Sequence, residues 1–254
     1  MVSPDFPDFI SPDLGTFYRL NRYKDMGRLP RVVIPGIPHH VTQRGNRRQT
    51  TFFGPEDCDL YLRILSQVCR LKDVAIWSYC LMPNHVHLIA TPKREDSLRR
   101  AIGDAHRRYT LAINDRHAWR GHLWQGRFAS FPMDERHLLA AARYIEMNPV
   151  KAGLARHPED YLWSSARAHL SGRDDALVKV APLLNLVGDW QKFLEEAEIS
   201  ESMTQAIEKH ERTGRPLGND NFLDKMERLL GRPVRPRRPG RPFKIKPVTP
   251  YGFP

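Results

Sequence analysis

Two histidines, His85 and His87, stand one residue apart in the stretch LMPNHVHLIATP, residues 81–92. Side chains alternate between the two faces of a β-strand, so a strand here points both imidazoles the same way. The apolar neighbours Val86 and Leu88 then point into a core. Two imidazoles side by side supply half of a metal site. The alternative interpretation is a pair of half-buried histidines with polar partners.

A tyrosine and an amide fall one turn apart on a helix that we predict to begin after Asp134. Helical spacing separates the stripe holding Tyr144 and Asn148 from the apolar stripe that faces the core. A helix packed this way against the sheet of His85 and His87 would combine a nucleophile with three possible metal ligands. The alternative for Tyr144 is a packing role or a surface hydrogen bond.

Three other tyrosines are rival nucleophiles. Tyr109 and Tyr61 lie within the apolar stripes of their own predicted helices, so we expect them in the core. Tyr79 lies on the strand next to the histidines and remains a weaker candidate.

The apolar periodicity predicts short elements in the order βαββαβα. Strands are expected at 34–46, 74–81, 85–91 and 128–133, and helices from Pro55, from an N-cap at Ser97, and from Asp134 to about Met147, where Asn148-Pro149 should interrupt the last one. This order predicts an α+β fold, a ferredoxin-like antiparallel sheet with packed helices. His39 and His40, being neighbours on a strand, should face opposite ways, one structural and one exposed.

The chain divides by composition into four parts. Residues 1–25 are predicted to be a flexible leader and residues 26–170 one folded domain, with a helical turn or two at 159–170. Residues 171–231 are predicted to form a small helical accessory module, with two or three acidic-faced helices in 181–231. Residues 232–254, rich in proline and arginine, are predicted to be a disordered basic tail.

Charge and composition limit the partners of this chain of 254 residues with a formal net charge of +11. Seven of those positive charges lie in the acid-free tail, which indicates phosphate-bearing partners. The sequence contains neither a run of 18 apolar residues nor a secretion signal, and it has three cysteines without a CxxC motif. We therefore expect a cytoplasmic, nucleoid-associated protein with no membrane partner.

Several residues suit DNA contacts. Arginines after the first strand and a loop before the fourth offer phosphate contacts, and a loop tryptophan either stacks on an unpaired base or packs in the core. Lys151 follows the helix break and suits a phosphate contact, while the tail resembles an AT-hook and is interpreted as a non-specific electrostatic arm. The predicted DNA-binding set is Arg44, Arg47, Arg48, Trp124, Gln125, Arg127, Lys151, Arg237, Arg238 and Arg241.

The motifs PNHVHLI and YIEMNPVKAGL, with GHLWQGRF between them, resemble those of the single-tyrosine HUH transposases, in particular the REP-associated tyrosine transposases of bacteria. The resemblance covers residues 26 to about 170 and extends to TGRPLG and the basic end. It implies the HUH nuclease fold, a divalent ion held by His85 and His87 with Asn148 as third ligand, and Tyr144 as nucleophile. Many relatives carry glutamine where Asn148 stands.

The resemblance also implies a substrate, single-stranded DNA that folds into hairpins at palindromic repeats. The expected chemistry is cleavage and rejoining through a 5′-phosphotyrosine, with Mg²⁺ or Mn²⁺ and with zinc compatible on ligand type. The sequence lacks a P-loop, so no nucleotide cofactor is expected. The protein is expected to be a monomer or a homodimer. The alternatives are a non-catalytic DNA or RNA hairpin-binding protein and a hydrolase that uses a metal-activated water.

Overall fold

The structure is a computed structural model that describes residues 31–196 and 199–236. The predicted leader, residues 1–25, and the three tail arginines Arg237, Arg238 and Arg241 lie outside the described residues.

A four-stranded antiparallel sheet forms the centre of the protein. Its strands are β1 (His39–Arg44), β2 (Val74–Met82), β3 (His85–Pro92) and β4 (Ala129–Pro132). They lie in the spatial order β2-β3-β1-β4. With one helix between β1 and β2 and another between β3 and β4, this is the ferredoxin-like βαββαβ arrangement, so the predicted fold class is confirmed.

Two long helices cover one face of the sheet. Helix α1 (Pro55–Leu71) begins with proline, which fixes a helical φ where no backbone donor is needed, and α2 (Ser97–Arg116) packs beside it. Their apolar stripes bury Tyr61 and Tyr109 against Val41, Leu88 and other residues of the sheet. These two tyrosines are core residues, as the periodicity predicted.

The opposite face is covered by α3 (Glu135–Lys151) and by helices from the C-terminal part of the chain. Those are α4 (Ala166–Ser171), α5 (Ala181–Val187), α6 (Trp190–Glu195) and α7 (Glu201–Thr213). Helix α8 (Asp220–Leu230) instead packs in a separate cluster, where Met226 meets Val32, Ile34 and Ile37. Leu183, Trp190 and Ile207 from α5, α6 and α7 share one buried cluster with Phe131 of the sheet. The division of the chain at residue 170 stays a prediction, but these helices complete the core of this face.

Several local predictions were wrong. Strand β1 begins at His39 instead of 34, because residues 35–37 form a turn with Gly36 at φ 76°. The described residues within 181–231 form four helices, not two or three.

The predicted ends of two helices also need correction. The N-cap of α2 is Asp96, and Ser97 is already its first helical residue. Pro149 does not interrupt α3: it lies in the last turn, where its missing N–H removes only one helical bond, and its ring is buried.

Glu146 anchors α3 to the rest of this face, since its side chain is fully buried. Its carboxylate accepts hydrogen bonds from Ser165 Oγ (2.5 Å), His169 Nδ1 (2.7 Å) and Trp190 Nε1 (2.8 Å), and a longer one from Ser78 Oγ (3.3 Å). These donors come from β2, from α4 and the residue before it, and from α6. One carboxylate thus fixes the helix that carries Tyr144.

His106 should make stability pH-dependent, because it is buried beside Trp124 and its Nε2 shares a 2.9 Å hydrogen bond with the Tyr61 hydroxyl. Burial lowers its pKa from 6.5 to about 3. The unfolded chain therefore takes up this proton near pH 6.5 while the folded protein does not. The contribution of neutral His106 to the free energy of unfolding is complete above pH 6.5. It is lost as pH falls toward 3, at about 1.4 kcal/mol per pH unit.

Between pH 7 and pH 5, the free energy of unfolding of the His106→Leu variant should fall by about 2 kcal/mol less than that of the wild type. Urea unfolding at the two pH values measures this difference. His122→Leu, at an exposed histidine, is the control and should keep the wild-type pH dependence. Parallel pH profiles for the wild type and His106→Leu would contradict the assignment.

Candidate metal and nucleophile site

The strand register gathers histidines on the face that α3 covers. In the antiparallel pairing of β1 with β3, Arg44 lies opposite His85 and Thr42 lies opposite His87. Directly opposed residues point to the same face. The rings of His85 and His87 are 4.9 Å apart, centre to centre, so the structure places the HxH pair on one face.

Each of these two histidines has a polar neighbour that engages its Nδ1. Asn84 Oδ1 accepts from His85 Nδ1 at 2.6 Å, and the amide of Asn84 is oriented by its own bond to the Arg48 carbonyl (3.0 Å). His87 Nδ1 lies 3.1 Å from His40 Nε2, and these two rings stack at 10°. In both histidines Nε2 is left as the nitrogen that can face an ion.

The expectation that one of His39 and His40 is exposed was wrong, because both are buried. They do point to opposite faces. The His39 Nδ1–H donates to the Ile37 carbonyl at 2.7 Å, and His39 Nε2 accepts from the Ile34 amide, so His39 holds the turn before β1.

Helix α3 brings Tyr144 to the histidines. The Tyr144 ring is half-buried and lies edge-on to His87, with 5.5 Å between ring centres. Asn148 lies one turn further along the same helix face, and its buried Nδ2 has no hydrogen-bond partner among the described residues. The structure therefore brings the predicted nucleophile to the HxH pair, with Asn148 next to it along α3.

Helix α7 adds a carboxylate that the sequence did not predict. Glu211 Oε1 lies 3.7 Å from the Nδ1 atoms of both His40 and His87. One ligating atom from each of these three residues lies within 4.8 Å of the others, so they form a second possible ligand group that shares His87. Strand alternation gave His39 and His40 opposite faces, but only the register of β1 against β3 brings His40 to His87, and only the packing of α7 reveals Glu211.

Burial sets the protonation states at the site. It lowers the pKa of His85 to about 4 and of His40 to about 3, and it lowers the pKa of His87 as well, so all three are neutral at pH 7. Burial, helped by the negative charges of Glu211 and Glu208, raises the pKa of Tyr144 to about 12. Neutral imidazoles suit a cation, whereas the phenol is protonated at rest.

The residues present fit a divalent cation. His87 Nε2 is buried without a hydrogen-bond partner among the described residues, and it sits on the face where His85, Tyr144 and Asn148 meet. Two imidazole nitrogens with an amide or carboxylate oxygen suit Mn²⁺, Mg²⁺ or Zn²⁺. Burial also raises the pKa of Glu211 to about 7.

The rival tyrosines do not reach this face. Tyr61 of α1 and Tyr109 of α2 are buried on the other face of the sheet, and the hydroxyl of Tyr109 donates to the Thr51 carbonyl at 2.7 Å. Tyr79 also belongs to the core of the α1 and α2 face, and its hydroxyl donates to Asp175 at 2.7 Å.

The predicted DNA contacts divide by exposure. Arg44 is half-buried on the site face, and Arg47, Arg48, Gln125, Arg127 and Lys151 are exposed. Trp124 is only 7% exposed and packs against Phe52, Tyr61, His106 and Tyr109. In this conformation its ring cannot stack on a base, which supports the packing interpretation.

Comparisons with known proteins find a family model and solved structures that match part of this chain. The family model described as "Transposase IS200 like" matches residues 35–148. A solved structure of a REP-associated tyrosine transposase bound to a REP hairpin matches at 20% identity and a TM-score of 0.51, covering 59% of this chain and 90% of that one. A candidate transposase from Deinococcus radiodurans R1 matches at 22% identity and a TM-score of 0.34, covering 49% and 96%. No curated protein matches the sequence.

Proposed function

Since residues 35–148 match the family model described as "Transposase IS200 like", we propose that this chain is a metal-dependent tyrosine transposase that cleaves and rejoins single-stranded DNA at hairpin-forming repeats. The observation that carries the proposal is the position of Tyr144, edge-on to His87 at 5.5 Å and next to a buried nitrogen that has no partner among the described residues.

Tyr144 acts as the nucleophile in this proposal. Its Oη attacks the phosphorus, the bond from phosphorus to the 3′ oxygen breaks, and the products are a 5′-phosphotyrosine and a free 3′-hydroxyl. The phenol, whose pKa is raised to about 12, gives up its proton as the bond forms, and the leaving 3′ oxygen takes up a proton to become the hydroxyl. Because the ester linkage is kept, the reverse attack by a 3′-hydroxyl rejoins a strand without a nucleotide cofactor.

His85 and His87, with Asn148 as third ligand, would hold the divalent ion, Mg²⁺ or Mn²⁺. A bound cation supplies charge that neutralises the developing negative charge on the non-bridging phosphate oxygens. Asn84 and His40 orient the two imidazole rings through hydrogen bonds to their Nδ1 atoms. Arg44, opposite His85, offers a positive charge to the phosphate. Glu211 is an alternative carboxylate ligand from α7.

The substrate part of the proposal takes support from the similar solved structure, whose protein is bound to a REP hairpin. The exposed cations Arg47, Arg48, Arg127 and Lys151 suit a phosphate backbone. None of the described helices is long and apolar enough to cross a membrane. The proposal also includes a nucleoid-associated, cytoplasmic location, a tail that adds non-specific affinity for DNA, and a monomeric or homodimeric state.

The test is incubation of the protein with an end-labelled single-stranded repeat hairpin and Mn²⁺, followed by a denaturing gel. We expect a covalent protein–DNA band that chelation of the metal prevents. Cleavage without an adduct would favour the metal-activated hydrolase, and a mobility shift seen only in native gels would favour the hairpin-binding protein.

His40 gives a separate prediction, because its Nε2 lies 3.1 Å from His87 Nδ1 and so fixes the ring that holds the ion. We expect His40→Leu to weaken Mn²⁺ binding about 10- to 100-fold, measured by titration calorimetry. His122→Leu, at an exposed histidine, should bind Mn²⁺ as the wild type does. Unchanged affinity in His40→Leu would contradict the role, and a loss as large as in His87→Ala would make His40 a ligand itself.

A further inference from the structure

An exposed aromatic cluster lies where α1 begins and α2 ends, away from the core. Phe53 is 42% exposed and Trp119 is 47% exposed. The ring of His117 stacks on Trp119 at 20° with 4.4 Å between centres, and Phe53 lies 5.0 Å from His117 and 5.5 Å from Trp119. Three aromatic rings thus form one surface feature that no role assigned above uses.

Hydrogen bonds hold this cluster in place. The Phe53 amide donates to Asp57 Oδ2 at 2.8 Å, and Asp57 also pairs with Arg116. The Trp119 amide donates to the Asn114 carbonyl at 2.8 Å, after a left-handed residue, Ala118 at φ 53°, turns the chain. The rings are therefore presented by a fixed backbone, which lowers the entropy lost when a flat ligand stacks on them.

A short basic loop after β1 is hydrogen-bonded both to the segment that follows Trp119 and to Asn84 beside the candidate metal site. The Asn46 amide donates to the Leu123 carbonyl at 2.8 Å, which joins the loop after β1 to the segment that follows Trp119. The Gly45 amide donates to the Asn84 carbonyl at 2.8 Å, and Asn84 in turn holds His85. A Cβ at Gly45 would meet the Gln49 carbonyl oxygen at 2.2 Å, so the loop folds tightly here.

The charges of this loop complement a nucleic acid strand. Arg47 and Arg48 are exposed with left-handed backbone angles, φ 52° and 62°, and Arg120 is exposed directly after Trp119. Exposed aromatic rings beside arginines are the combination that binds unpaired bases and their phosphates.

We propose that Phe53, His117 and Trp119 form a stacking platform for unpaired bases of single-stranded DNA that flanks the hairpin, with Arg47, Arg48 and Arg120 contacting its phosphates. The proposal rests on the proposed function, because it assigns that function's substrate a second contact. It also assigns to Trp119 the base-stacking role that was one alternative for Trp124, because Trp124 is buried.

The test measures DNA binding in a Tyr144→Phe background, where no covalent trapping occurs. Two fluorescently labelled DNAs share one repeat hairpin, and only one of them carries an unpaired flank. We expect Trp119→Ala to weaken binding of the flanked hairpin about ten-fold and to leave the blunt hairpin unchanged, by fluorescence anisotropy. Trp119→Phe keeps a ring and should restore most of the affinity.

Leu111→Ala is the matched control, because Leu111 is an exposed apolar residue on α2 (57% exposed) outside the cluster. It should bind both DNAs as the background protein does. Equal losses on both DNAs, or no loss in Trp119→Ala, would overturn the platform.

The platform and the proposed chemistry fail separately. A protein with wild-type Tyr144 that forms the Mn²⁺-dependent adduct but shows no dependence on Trp119 loses only the platform. A protein that discriminates the flank through Trp119 but forms no adduct keeps the platform and loses the proposed chemistry.

Discussion

Tyr144→Phe is expected to abolish the covalent protein–DNA adduct and to lower strand cleavage by at least about 10³-fold. The substitution removes only the hydroxyl, and the remaining ring keeps its edge-on contact with His87. Stability should therefore change by less than about 1 kcal/mol. Denaturing gels with the end-labelled hairpin measure the adduct, and urea unfolding confirms that the fold is intact.

Tyr161→Phe is the matched control for this result. Tyr161 is also partly buried on this side of the sheet, but its hydroxyl donates to the Leu81 carbonyl at 2.7 Å. Losing that hydroxyl should leave adduct formation unchanged. An adduct that persists in Tyr144→Phe would assign the nucleophile elsewhere, and cleavage that persists without an adduct would indicate attack by water.

Local periodicity was enough to predict the parts of the site that lie within one element. Strand alternation correctly gave His85 and His87 a common face, and helical spacing put Tyr144 and Asn148 on the stripe that meets it. The turn at Pro83-Asn84 gave the β2–β3 hairpin. The first two of these inferences use a spacing of two or four residues, and the third uses a local turn signal, so none of them depends on a distant contact.

The features that were missed depend on contacts between distant segments. His40 meets His87 only through the register of β1 against β3, and Glu211 reaches both through the packing of α7 on β1 and β4. Trp124 is buried because α1, α2 and Phe52 leave an aromatic pocket for it. No periodicity in the sequence encodes those distances, and the same limit hid the stacking of His117 on Trp119.

Glu146→Ala is expected to lower the free energy of unfolding by about 3–5 kcal/mol, a large share of the roughly 5–15 kcal/mol of a typical domain. The carboxylate is fully buried and accepts bonds from Ser165, His169 and Trp190. Removing it leaves those buried donors without their acceptor and opens a cavity between α3, α4 and α6. Urea unfolding monitored by circular dichroism measures the loss.

Two further variants separate the loss of the hydrogen bonds to Glu146 from the general effect of losing a negative charge. Glu146→Gln keeps the size and one acceptor oxygen but sets its NH₂ against donors, so we expect a loss of about 1–3 kcal/mol. Glu159→Ala removes an exposed glutamate and should change stability by less than about 0.5 kcal/mol. The order Glu146→Ala, then Glu146→Gln, then Glu159→Ala follows only if satisfied buried hydrogen bonds, and not net charge, hold α3 and its tyrosine against the sheet.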